Sequence, residues 1–170
     1  MCLKEDEKIR IEIPYIDKRV TLSARAFGRV GMYAYKQSSN GVNEKNSERA
    51  MAVLPAIVNL SLSCELYFKS YLSEESRKKD KHYLDELFED LPKDIQKIII
   101  ARMIDEKIVN SAEEFNQKLK NMRKAFIEWR YYYELLGKQK EIDLQFLICL
   151  ADTLVRLEAC FENEKVENDA

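Results

Sequence analysis

The chain has 170 residues, 46% hydrophobic and 34% charged, a balance that fits one soluble domain with its own core and excludes a low-complexity or wholly disordered chain. A formal net charge of −2 excludes an indiscriminate nucleic-acid binder but leaves room for a local basic patch. With 4 glycines and 3 prolines over this length, the chain is expected to form a few long helices, not many short strands.

Along the chain, Ile9, Ile11, Ile13 and Tyr15 alternate with Arg10, Glu12 and Pro14, the period of an extended segment. Residues 1–20 therefore read as an extended N-terminal arm, and Pro14 limits any strand there to an edge. Thr21 is the expected N-cap of a helix from about Leu22 to Lys36, with Leu22, Ala26, Val30 and Tyr33 as its apolar stripe. Gly28 and Gly31 weaken that helix, and their expected use is the close approach of a second one. The polar run 37–47 reads as a loop.

Ser47 is the expected cap of a second helix reaching Leu72, apolar on nearly its whole circumference and therefore central. Pro55 predicts a kink or a restart within it. Residues 73–81 read as a charged loop; the basic run from Arg77 to Lys81 reads as solvated or anion-binding. Next come a short helix around Leu84–Leu91 and, after Pro92, a further helix to about Lys107. Ser111 and Glu114 have the spacing of a capping box. From there Phe115, Leu119, Met122, Phe126, Trp129, Tyr133 and Leu136 predict one continuous helix ending at Gly137. A last helix covers about Ile142–Phe161, followed by a polar tail at 163–170. The expected fold is all-α: an antiparallel bundle of five or six helices over residues 21–162.

Cys2, Cys64, Cys149 and Cys160 form no C-x-x-C pair and stand beside a single histidine, so no metal site and no cofactor are expected. The charged N-terminus does not read as a signal peptide, and the apolar run at Ala52–Phe68 is broken by Asn59, serines and Glu65. The expectation is a cytoplasmic protein without a membrane anchor. Phosphate-cradling glycine loops, H-E-x-x-H helices and G-x-S-x-G elbows are absent from the sequence.

Two polar constellations stand out. Asn59, Ser63, Glu65 and Lys69 lie on the apolar central helix and form a candidate polar core or ligand site. A buried carboxylate needs a partner; Arg130 across the bundle is one reading for Glu65, and a surface pair with Lys69 is the other. Arg130 and Glu134 share a helix face at i, i+4 spacing, as a salt bridge or as a small site in which Arg130 holds a phosphate and Tyr133 or Glu134 handles a proton. His82 reads as a cap or a packed side chain at the start of its helix.

Taken together, three passages resemble the HEPN superfamily of small helical domains. They are NLSLSCELYFKSYL (Asn59–Leu72), KHYLDELFEDLP (Lys81–Pro92) and FIEWRYYYE (Phe126–Glu134), the last similar to the Trp-Arg-Tyr-x-Tyr-Glu helix of a bacterial subgroup. The resemblance spans about residues 20–160. It implies an all-α fold, a homodimer and a link to RNA, phage defence or a toxin–antitoxin-like system. In the family's ribonucleases, an arginine followed four to six residues later by a histidine forms the active site across the dimer. Arg130 matches the arginine, but no histidine follows it. The resemblance thus implies a non-catalytic domain that dimerises and binds RNA, a nucleotide or a protein partner encoded nearby. The alternative it leaves is a metal-independent ribonuclease using Arg130 with Tyr133 and Glu134.

Overall fold

The structure, a computed structural model, describes residues 16–77, 81–131 and 141–168, with side chains as far as Phe161. Helices α1 (Lys18–Asn43), α2 (Ser47–Ala50), α3 (Val53–Tyr71), α4 (Glu74–Arg77), α5 (Leu84–Glu89), α6 (Lys93–Asp105), α7 (Ala112–Asn121), α8 (Ala125–Arg130) and α9 (Leu144–Asn168) follow in chain order. No strand occurs among the described residues, and the fold is an all-α bundle as the periodicity predicts. Residues 1–15 of the expected extended arm lie outside the described residues. Residues 18–20, read as part of that arm, already belong to α1.

Helix α3 is the centre. Ala56, Ile57, Leu60, Cys64, Tyr67, Phe68 and Tyr71 are all buried, and α1, α5, α8 and α9 pack around them. The predicted restart is present: a turn at Met51–Ala52 separates α2 from α3. Pro55 thus falls in the first turn of α3, where a missing donor costs least. A chain of rings ties four helices together. Phe68 meets Phe88 at 5.8 Å, Phe88 meets Phe115 at 4.9 Å, and Phe115 meets Phe146 at 5.4 Å between centroids.

The contact between α1 and α3 is built from small residues. Thr21, Ala24, Gly28, Gly31, Ala34, Ser38 and Gly41 form the buried edge of α1. A Cβ on Gly31 would lie 2.7 Å from Leu60 Cγ, so the glycine lets α3 approach as expected. The expected apolar stripe of α1, however, does not face the core. Leu22, Val30 and Tyr33 are 61%, 54% and 66% exposed, and Ala26 is exposed with them. Close backbone packing selected the small-residue edge, and the bulky edge was left outside.

Other boundaries also move. Asp17, not Thr21, caps α1 by accepting from Arg19 N at 3.0 Å. The run 37–43 is helical, not a loop, because α2 folds back on it: Ser38 Oγ donates to Ala50 O at 2.8 Å, and Arg49 binds the Gln37 amide oxygen at 2.7 Å. Asn46 replaces Ser47 as the cap of α2. The helix expected from Ser111 to Gly137 is interrupted by a turn at Met122–Lys124. That turn shifts the phase, so Ala125 enters the core while Phe126 and Trp129 are only partly buried. The capping box survives in part: Ser111 Oγ accepts from Glu114 N at 3.2 Å, and Glu114 turns back to Asn110 N at 2.8 Å. Helix α9 continues to Asn168, through the stretch read as a tail.

Candidate functional site: two buried carboxylates

Helix α3 carries its polar side chains through an apolar neighbourhood, and each finds a specific use. Asn59 donates to Pro55 O, one turn back, at 2.7 Å. Ser63 donates to Ala24 O at 2.8 Å, where the missing side chain of Gly28 leaves room for its hydroxyl. Of these two predicted site residues, one thus bonds within its own helix and the other links α3 to α1.

Glu65 and Lys69 are in contact, and His82 joins them. Glu65 is 3% exposed. Its Oε1 accepts from Lys69 Nζ at 2.8 Å and from His82 Nδ1 at 2.8 Å. The contact with a carboxylate fixes Nδ1 as the protonated ring nitrogen. Lys69 Nζ and His82 Nδ1 lie 3.4 Å apart, two donors converging on one oxygen. The second oxygen, Oε2, is buried with no hydrogen-bond partner among the described residues. His82 is close to half exposed and Lys69 about one-fifth, so a buried anion holds a cation and an imidazole side by side at the surface.

Of the two readings for Glu65, the pair with Lys69 is present and the pair with Arg130 is absent. Arg130 is exposed at the end of α8, with its guanidinium 5.0 Å from the Phe126 ring centroid and 4.7 Å from that of Tyr131. Lys69 supplies the cation for Glu65 because it stands four residues later on the same helix, the favourable Glu-to-Lys order. Tyr133 and Glu134 lie outside the described residues. His82 is not merely a helix-start side chain; just before α5, it reaches Glu65 on α3.

A second carboxylate network escapes sequence reasoning. Glu158, on α9, is 1% exposed; it accepts from Tyr67 Oη at 3.0 Å and pairs with Arg25 Nη2 at 2.9 Å. Burial, reinforced by the Glu158 carboxylate, pushes the Tyr67 phenol well above its ordinary value. The hydrogen bond to Glu158 raises Arg25 further. One helical turn on, Tyr71 Oη donates to Leu154 O at 2.9 Å. A signal was present in the sequence: Glu158 follows Leu154 by four residues and precedes Phe161 by three, placing it on the apolar face of α9.

No family model, curated protein or solved structure matches the chain.

The two networks differ in what they can do. Glu158 is enclosed by the partners it binds, so its network joins α1, α3 and α9. The Glu65 cluster opens to solvent through Lys69 and His82, where an ammonium and an imidazole can meet an anionic ligand.

The apolar stretch Ser47–Tyr71 reaches a mean hydropathy of 1.5 over 18 residues, enough by length and composition to cross a membrane. Half of that window is buried inside the bundle. Its composition follows from its central position.

Proposed function

We propose that this chain is a HEPN-like helical domain that acts by binding, in the cytoplasm, and that it takes an RNA or nucleotide phosphate at the Glu65–Lys69–His82 cluster. One observation carries the reading: a buried carboxylate holds a lysine and a half-exposed histidine against the same oxygen at the surface. The carboxylate fixes both side chains before a ligand arrives: Lys69 keeps further N–H groups for phosphate oxygens, and the His82 ring turns Nε2 outward, which lowers the ordering cost of gripping a phosphate. The family resemblance adds a homodimer and a place in phage defence or a toxin–antitoxin-like system. The proposed contact between copies is the aromatic end around α8, where Tyr131 is exposed.

A second reading, a ribonuclease, is favoured by the orientation of His82. A carboxylate at Nδ1 is how a general-base imidazole is held, and it supplies the proton-exchanging group that the Arg130 helix lacks.

Fluorescence anisotropy with a labelled single-stranded RNA and with a labelled nucleotide tests both. Lys69→Gln and His82→Gln are each expected to weaken binding about tenfold, and Lys69→Gln, which removes a formal charge, to lower the salt dependence by about one phosphate contact. Thermal melts of the same variants separate loss of binding from loss of fold. Variants that stay folded and bind like the wild type remove the site. RNA cleaved by the wild type and spared by His82→Gln establishes the second reading over the first.

A further inference from the structure

Helix α1 has an outer face on which no other described helix packs. Leu22, Ala26, Val30 and Tyr33 follow at spacings of four, four and three, the pattern of a helix–helix seam. Yet Leu22, Val30 and Tyr33 remain more than half exposed, because the helix is held to α3 along its small-residue edge. A line of bases runs beside the stripe: Lys18, Arg25, Arg29 and Lys36, at i, i+7, i+11 and i+18. Arg25 turns its tip to Glu158, whereas Lys18, Arg29 and Lys36 are exposed. From Lys18 to Lys36 the line extends about 27 Å at the helical rise of about 1.5 Å per residue.

Between Lys18 and Asn43 there is no acidic residue. That absence decides among occupants. Two copies of α1 paired about a two-fold axis set cations against cations or against neutral side chains, which disfavours a second copy. A nucleic acid satisfies the bases but gives Leu22, Ala26 and Val30 nothing to stack on. A helix with its own apolar stripe, edged by Asp and Glu, satisfies both features at once. We propose that the outer face of α1 is a docking surface for an acidic amphipathic helix of a partner protein. This goes beyond the phosphate site and uses none of its residues.

The test titrates the full-length protein with a synthetic helical peptide of about 20 residues, long enough to cover about 27 Å. The peptide carries leucines at three- and four-residue spacing and glutamates along the edges. A twin with lysines in place of the glutamates, and a scrambled glutamate peptide, serve as controls. The wild type is expected to bind the acidic peptide and to bind either control at least tenfold more weakly. Leu22→Asp with Tyr33→Asp, on exposed positions, should reduce binding at least tenfold. Arg29→Glu with Lys36→Glu should switch preference to the lysine twin. Lys69→Gln and His82→Gln should leave peptide binding unchanged, so the two proposals fail separately.

Equal binding of acidic and lysine peptides, or no binding, overturns the inference. A wild-type dimer that Leu22→Asp with Tyr33→Asp converts to a monomer assigns the face to a second copy instead. A single-stranded RNA whose binding depends on Arg29 and Lys36 but not on Leu22 and Tyr33 assigns it to nucleic acid.

Discussion

Glu158 shows how one side chain can hold three helices. It is 1% exposed, and a charge so placed persists only if its partners compensate the lost hydration. Tyr67 from α3 and Arg25 from α1 provide that compensation. Glu158→Ala deprives the buried Tyr67 O–H of its acceptor and leaves a cavity, while Arg25, one-third exposed, can turn to water. The expected cost is about 3 kcal/mol, the low end for breaking a buried ion pair. Glu158→Gln keeps an acceptor for Tyr67 and should lose less. Urea unfolding of both variants checks the order. A loss below about 1 kcal/mol for Glu158→Ala, the worth of a single ordinary hydrogen bond, would mean the pair holds nothing together. The Glu65 cluster is looser by the same measure, since Lys69 and His82 both reach solvent. That difference is why the first network reads as structural and the second as a site.

Among the elements, the α1–α3 contact rests on the missing side chains of glycine. At Gly31 an added Cβ meets Leu60 Cγ at 2.7 Å and Leu60 N at 3.0 Å, and backbone cannot rotate out of the way. Gly31→Ala gains about 1 kcal/mol of helix propensity and loses about 1–3 kcal/mol by forcing the helices apart. Net destabilisation of about 1 kcal/mol is expected, measured as a lower urea midpoint. Gly28→Ala should cost less, because its Cβ meets only the Ser63 hydroxyl, at 2.9 Å. If Gly31→Ala is stabilising, the helices are not in the contact described. The glycine spacing was legible in the sequence because it has a direct local consequence. So were the Ser111 cap and the restart before Pro55. The side of α1 that faces inward was not. Leu22, Val30 and Tyr33 form a better apolar stripe than Ala24, Gly28 and Gly31, and hydrophobicity alone selects the wrong edge. The break at Met122–Lys124 was hidden for a related reason: Met122 and Phe126 keep helical spacing across a turn. Partners were least legible of all. Glu65 meets His82 across 17 residues and Glu158 meets Tyr67 across 91, and no local pattern encodes such pairings.

For the molecule as a whole, the perturbed groups set two limbs of a pH–stability profile. On the acid side, burial alone would raise the Asp143 carboxyl, but the ammonium of Lys118 and the amide of Phe146 bring it below its ordinary value. A depressed value means that the folded state takes up the proton later than the unfolded chain. This contribution is therefore present above the ordinary carboxylate range and lost as pH falls through it. On the alkaline side, burial pushes the Tyr67 and Tyr71 phenols and the Cys64 thiol upward. Raised values reverse the sense. The stabilisation is complete below the unfolded values, about 8.5 for a thiol and about 10 for a phenol, and is lost as pH rises beyond them. The alkaline limb should be the steeper, since Cys64, Tyr67 and Tyr71 are fully enclosed while Asp143 is more than one-third exposed and screened by water. Urea midpoints measured from pH 3 to pH 11 test the shape. Tyr71→Phe isolates one component: it removes the bond to Leu154 O and lowers stability at neutral pH by about 1 kcal/mol. It also removes one phenol that ionises only on unfolding, so its alkaline limb should be shallower than that of the wild type. A variant limb that parallels the wild type would show that Tyr71 ionises freely in the folded protein, which its enclosure against α9 does not allow.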